Sequence, residues 1–252
     1  MKLELNGVTI RYRTRVAVAD ASLTAAPGEV LAVLGANGSG KSSLLRALAG
    51  LVGHAGTIAW DGNAAPPPGT IGYMPQDNAA RAALTAFEVV LLGRMRSLAW
   101  RVATADLDAA SAALAELDIA ELAPRRIGEL SGGQRQLVFL AQVLAGNPRV
   151  LLLDEPTSAL DIAHQLQVLG LLREATRRRG LTTLAVLHDL NAAARFADRV
   201  ALLHDGRVAA SGPPQAVLTE ATLRRAFGVE VAIMPGPDGK PVVVPLAVTP
   251  VG

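Results

Sequence analysis

The sequence predicts an α/β fold, with a mostly parallel sheet, an antiparallel β portion near the start and a helical segment inserted in the middle. Three observations predict it. A short apolar strand at residues 30–34 runs through a glycine-rich turn into a helix pattern, and strands alternate with helices from Val150 onwards. Between them, from about residue 79 to 147, Ala- and Leu-rich helical periodicity replaces any strand pattern. At 252 residues the chain can bury one sizeable core carrying a smaller inserted subdomain. We therefore divide the single unit 1–252 into an α/β core (1–78 and 148–227), a helical insertion (79–147) and a β tail (228–252).

The elements follow in order. Residues 3–13 read as a strand, Pro27-Gly28 as a turn, and Val30 to Leu34 as a buried parallel strand because the run is short, apolar and partly β-branched. Leu44, Leu45 and Leu48 begin a helix directly after Lys41. A strand pair is expected around residues 53–56, and another strand at Ile71 to Met74. In the insertion Leu107, Ala110, Leu114 and Leu117 repeat at helical spacing until Pro124. Strands return at residues 150–153, 182–187 and 200–203, with helices at 163–179 and 191–197 between them. The tail holds two apolar strands around Pro235 to Gly239, expected as a hairpin or a lid on the sheet.

Composition excludes several functions. The formal net charge is only +2 and scattered, and the densest basic cluster, Arg177 to Arg179, stands where a cationic last turn suits a helix dipole. No basic patch interleaved with aromatics points to nucleic acid. There are no cysteines, so disulfides and thiolate metal sites are excluded. No opening segment reads as a signal peptide and no apolar run is long enough to cross a bilayer, so any membrane role is expected through a partner.

The turn at residues 35–42 is Gly35, Ala36, Asn37, Gly38, Ser39, Gly40, Lys41, Ser42, which fits G-x-x-x-x-G-K-[ST] in the strand-to-helix setting that pattern needs. Glycines let successive N–H groups face the β- and γ-phosphates of ATP, and the helix that follows adds its positive end. Lys41 supplies a point charge and the Ser42 hydroxyl can ligate Mg²⁺. Lysine otherwise occurs only at positions 2 and 240, so Lys41 does not reflect a lysine-rich surface.

A second element, Leu130-Ser131-Gly132-Gly133-Gln134, opens a helix with Ser131 as its N-cap. Two glycines in a first turn cost about 1 kcal/mol each against Ala, and approach of an anion to bare N–H groups is a reason to carry them. At these residues the chain resembles the ATP-binding-cassette (ABC) family, whose LSGGQ element is matched without change. The resemblance implies the P-loop NTPase fold of ABC ATPases, with a RecA-like sheet, an antiparallel β subdomain and an inserted helical subdomain. It also implies an ATP-sandwich dimer, in which Ser131, Gly132, Gly133 and Gln134 complete the ATP site of a second copy.

Other residues gain roles by the same resemblance. Asp154 holds Mg²⁺ through water, beside Ser42, and Glu155 polarises the attacking water. Gln76 joins the metal to the helical subdomain. His188 contacts the γ-phosphate, and Asp161, in the stretch 158–161, lies at the dimer seam. Tyr12 stacks on adenine, while Ser43 joins the residues of the phosphate loop.

A single cassette resembles an importer subunit. The stretches 160–165, 188–195 and 89–94 and the tail from Phe227 resemble importers of metal chelates: ferric siderophores, with haem and cobalamin beside them. Leu137 is shared with molybdate-type relatives. That likeness implies two permease subunits, a solute-binding protein outside, and a place on the cytoplasmic face of the cell membrane. Met95, Arg96 and Ser97 depart from the family where permease contacts are expected, so residues 95–101 are read either as a permease-facing segment or as an exposed loop. Two other classes stay open at this point. One is a soluble ABC ATPase on ribosomes or DNA, which fused cassettes or long heptad insertions would favour. The other is a small-molecule kinase, which would leave residues 130–136 idle.

Overall fold

The chain opens with two long strands, β1 (Leu3–Tyr12) and β2 (Arg15–Ala25), joined by a turn in which Arg13 takes φ 51°. The computed structural model describes residues 1–76, 83–94, 102–158 and 160–249. Strand β3 (Val30–Gly35) leads into helix α1 (Lys41–Leu48), followed by β4 (Ala55–Trp60) and β5 (Ile71–Met74). Then come α2 (Ala86–Leu92), α3 (Thr104–Glu116) and α4 (Gly132–Ala145). The alternation resumes with β6 (Val150–Asp154), α5 (Ile162–Arg179), β7 (Thr182–Val186), α6 (Leu190–Phe196), β8 (Arg199–His204) and β9 (Arg207–Gly212). Two short helices, α7 (Pro214–Val217) and α8 (Glu220–Phe227), precede the hairpin β10 (Val229–Pro235) and β11 (Pro241–Val248).

Six strands form the main sheet in the order β5-β6-β7-β3-β8-β9, all parallel except β9, which returns antiparallel on β8. A separate antiparallel sheet has the order β2-β1-β4. The strand side chains alternate between two cores, as a period of two requires. Val30, Ala32, Leu34, Leu151, Leu153, Val200 and Leu202 face one cluster, which continues without a break into Leu114, Leu117, Ile127, Leu137 and Leu140 of the helical insertion. Leu31, Val33, Leu152, Leu184 and Leu203 face the other, against α1 and the small sheet. The insertion is thus fused to the sheet through a shared core. An ion-pair cluster adds to that join: Glu116 of α3 takes both Arg178 and Arg179 of α5.

The α/β architecture predicted from sequence, with its mostly parallel sheet, separate antiparallel sheet and helical insertion, is observed, with local differences. Strand β2 was not predicted. Val18 and Ala21 are both buried although three apart, because Asp20 takes φ 54° within an irregular register and hides the alternation. Around residues 53–56 there is one strand, β4, which pairs with β1. Leu107 is exposed although Ala110, Leu114 and Leu117 of its repeat are buried. The tail hairpin pairs only with itself and packs on α6 and α8, so it is no lid on the main sheet. Asn191 docks it there, giving its amide N–H to Val243 O (3.1 Å) and accepting from Val243 N (2.7 Å). Residues 95–101 and Ala159 of the 158–161 stretch lie outside the described residues.

Candidate functional site

The site forms where neighbouring parallel strands end together, the place at which open α/β sheets bind ligands. β3 ends at Gly35 with φ 150°, where a Cβ would meet Leu203 O at 2.3 Å and Ser39 Oγ at 2.6 Å. Gly40, at φ 103°, caps α1, and its Cβ would lie 2.4 Å from Ala17 O. No L side chain fits either position, so the loop is pinched between β8 and β2. Gly40 offers α1 no side-chain cap, and the first turn carries no acidic residue. The free N–H groups and positive dipole end of α1 are therefore available to an anion.

Lys41 is buried and its ammonium donates to Gly35 O (2.9 Å) and Ala36 O (3.0 Å), which keeps a third donor for a ligand. Burial lowers its pKa, with the Glu155 and Asp154 carboxylates opposing. The Ser42 hydroxyl donates to Asp154 Oδ1 at 3.0 Å. Asp154 is buried at the end of β6, and burial pushes its carboxyl above the usual range despite the Ser42 bond.

Three adjacent strands bring the remaining polar groups together. Gln76 lies two residues beyond β5, Glu155 one beyond β6 and His188 two beyond β7. Glu155, at φ 55°, receives Gln76 Nε2 on Oε2 (2.8 Å) and meets His188 Nε2 at Oε1 (2.5 Å). A carboxylate with a ligand-facing amide on one side and an imidazole on the other can orient a water and accept its proton.

These groups open on one cavity of about 770 Å³. Asn37, Gly38, Gly40, Lys41, Ser42, Ser43, Gln76, Glu155, His188 and Tyr12 line it. Gly35, Ala36 and Ser39 form the loop behind. Sequence reasoning missed Arg15, Ala17 and Arg46, which also line it. Arg15 stands over the loop, its Nη2 3.9 Å from where a Gly38 Cβ would sit. Arg46 has its charge stabilised chiefly by Tyr73 and also by Tyr12, which raises its pKa. The signals were present but faint: Arg46 lies one helical turn past Ser42, and Arg15 opens the strand that escaped notice.

Ser131, Gly132, Gly133, Gln134 and Asp161 do not line this cavity. Ser131 is the N-cap of α4 and forms a capping box, accepting from Gln134 N (3.3 Å) while Gln134 Oε1 accepts from Ser131 N (3.1 Å). Ser131 and Gly132 are exposed and Gly133 is buried. Asp161 caps α5, accepting from His164 N at 2.9 Å and pairing with His164 Nδ1 at 2.8 Å. The His164 backbone N–H, then its ring, holds the Asp161 carboxyl below the usual range.

No group of three or more His, Asp or Glu side chains among the described residues could hold a metal ion alone. The Ser42 hydroxyl and Asp154 carboxylate, touching beside a phosphate loop, instead fit Mg²⁺. That ion takes one or two protein oxygens and completes its shell with substrate phosphates and water. Among the described residues no helix is long and apolar enough to cross a membrane.

Known proteins resemble the chain along nearly its whole length. The family model described as ABC transporter matches residues 18–158. Curated relatives include the hemin import ATP-binding protein HmuV of Gloeobacter violaceus, 40% identical over 97% of this chain and 94% of the relative. The protein of the same name from Myxococcus xanthus is 43% identical, covering 97% of each. Among solved structures, a chain from an inward-facing transporter assigned to the metal-chelate type superposes with a TM-score of 0.85 at 30% identity, covering 97% of both chains.

Proposed function

The chain belongs to the ABC transporter family as the ATP-binding subunit of an importer, an ATPase coupled to transport, and on that premise we propose that it powers haem uptake through a partner permease. Relatives named for hemin import, matched end to end at about two residues in five, support haem as cargo. A ferric siderophore, favoured by the sequence motifs alone, is the second reading, supported by the metal-chelate type of the structural neighbour.

The observation that carries the catalytic reading is the convergence of Lys41, Ser42, Gln76, Asp154, Glu155 and His188 at the ends of four adjacent strands. In this proposal the loop at residues 35–43 and Lys41 hold the phosphates, and Tyr12 at the rim takes adenine. Ser42, Asp154 and Gln76 would hold Mg²⁺, directly or through water, and the ion would supply positive charge against the phosphates. Glu155 accepts the proton of the attacking water, and His188 holds Glu155 and reaches the γ-phosphate.

The signature residues Ser131, Gly132, Gly133 and Gln134 stand away from their own chain's cavity, which supports their serving a second copy. Two copies then close over two ATP molecules, with Asp161 at the seam. Residues 1–78 and 148–227 act as the nucleotide-binding unit, 79–147 carry the motion to two permease subunits, and 228–252 form a tail hairpin. A solute-binding protein delivers cargo, and the subunit sits peripherally on the cytoplasmic face of the membrane. Reconstitution with its permease and binding protein tests the cargo. Stimulation of ATP hydrolysis by haem-loaded binding protein is expected; stimulation only by a ferric siderophore would transfer the assignment to the second reading.

A further inference from the structure

Gly133 is the buried residue of the signature turn, and what buries it is a side chain from α5. A Cβ at Gly133 would stand 2.3 Å from His164 Cδ2, 2.6 Å from Cγ and 3.0 Å from Cβ. The Cβ–Cγ–Cδ2 edge of His164 therefore lies against the glycine, closer than any other residue would allow. A second contact engages the ring. Its Nδ1 meets both carboxylate oxygens of Asp161 at 2.8 Å, and the same carboxylate caps the backbone of α5 through His164 N. Asp161 in turn is six residues from Glu155, at the end of the stretch that leaves the water-activating carboxylate.

We propose that His164 is a positioning residue, which holds the signature turn against Asp161 and the start of α5 of the same copy. This rests on the reading that residues 131–134 complete a partner's ATP site. Ser131 and Gly132 face outwards from a turn whose underside is the His164 ring. A displacement of about 1 Å there is enough to spoil contacts to a bound γ-phosphate. The contact also explains the second glycine without an anion. Gly133 has no side chain because an aromatic ring occupies the space one would need. The half-site offered to the partner is thus braced by a ring that Asp161 of the same copy holds in place.

The test uses the full chain with Glu155→Gln, in which ATP-driven dimers are expected to accumulate, and follows dimer mass against ATP concentration by size-exclusion light scattering. Adding His164→Ala is expected to raise the ATP needed for half-dimerisation by about tenfold or more. Binding of a fluorescent ATP analogue to the monomer is expected to stay within about twofold, because His164 does not line the cavity. Unchanged dimerisation by the His164→Ala chain overturns the proposal while leaving the paired-site reading intact. Failure of Glu155→Gln itself to dimerise at any ATP concentration overturns both.

Melting temperature gives a second readout that holds even where assembly fails. Gly133→Ala alone is expected to lower it by several degrees, and Gly133→Ala with His164→Ala to melt no lower than His164→Ala alone. Simple addition of the two losses would show that the ring is not what demands glycine, and would overturn the proposal.

Discussion

Replacing Glu155 by Gln removes a charge while leaving the surrounding hydrogen bonds available. Oε2 now accepts from Gln76 Nε2 at 2.8 Å, and Oε1 meets His188 Nε2 at 2.5 Å. A glutamine at position 155 can keep its carbonyl oxygen on Gln76 and turn its amide towards the His188 ring, so both contacts can survive. The positive φ of 55° at Glu155 is no harder for Gln than for Glu, so the loop has no new reason to move. What is lost is the capacity to accept a proton. General-base catalysis contributes about 10²–10⁴-fold, or about 2.7–5.5 kcal/mol of barrier. The turnover number for ATP is therefore expected to fall by two to four orders of magnitude, with nucleotide affinity changed by less than about threefold. Steady-state phosphate release and equilibrium ATP binding measure the two quantities separately. Hydrolysis within a few-fold of the unmodified chain would refute the reasoning, as would equal losses in binding and turnover.

Gly40→Ala would force a left-handed residue against Ala17 O, costing about 1–3 kcal/mol of stability and abolishing ATP binding; calorimetric unfolding and nucleotide titration check both. Asp154→Asn is expected to raise the melting temperature of the nucleotide-free chain while ending Mg²⁺-dependent hydrolysis, since the buried carboxyl is pushed up by loss of solvent. The sign follows from linkage. With its folded pKa raised, the contribution of Asp154 is fully favourable below the ordinary carboxylate range and is lost as pH rises through the folded value.

Glu116 behaves oppositely. Burial works against its charge, but Arg179 and Arg178 hold its pKa below the usual glutamate value. Its stabilising contribution is present above that usual value and lost as pH falls through the folded one. Glu116→Ala is expected to cost about 2–3 kcal/mol in denaturant unfolding, because Arg179 is left partly buried without its partner. Arg15→Ala should weaken ATP binding several-fold while leaving adenosine binding unchanged, as measured by titration with each.

Legibility in the sequence followed the range of the interactions. The phosphate loop, the capped signature helix and the acidic end of β6 were readable because each is built from neighbours in the chain, and strand, turn and helix signals agreed. Strand β2 was lost where Asp20 breaks the period of two, and the partner of β1 beyond the Gly53–Gly56 turn was read as a pair rather than as one strand. Arg15 and Arg46 escaped because no local pattern distinguishes a cavity-facing arginine from a solvated one.

By itself, the sequence determined the family and its ATPase chemistry, because those depend on residue type at short fixed spacings. Tertiary structure alone decided which distant groups meet. Only the parallel order β5-β6-β7 sets Gln76 and His188 on the two oxygens of Glu155, across separations of 79 and 33 residues in the chain. Only the packing of α4 on α5 shows that Gly133 is glycine beneath the ring of His164. A spacing rule cannot see such contacts, since the distance between two residues far apart in sequence is set by the whole sheet and core that fold between them.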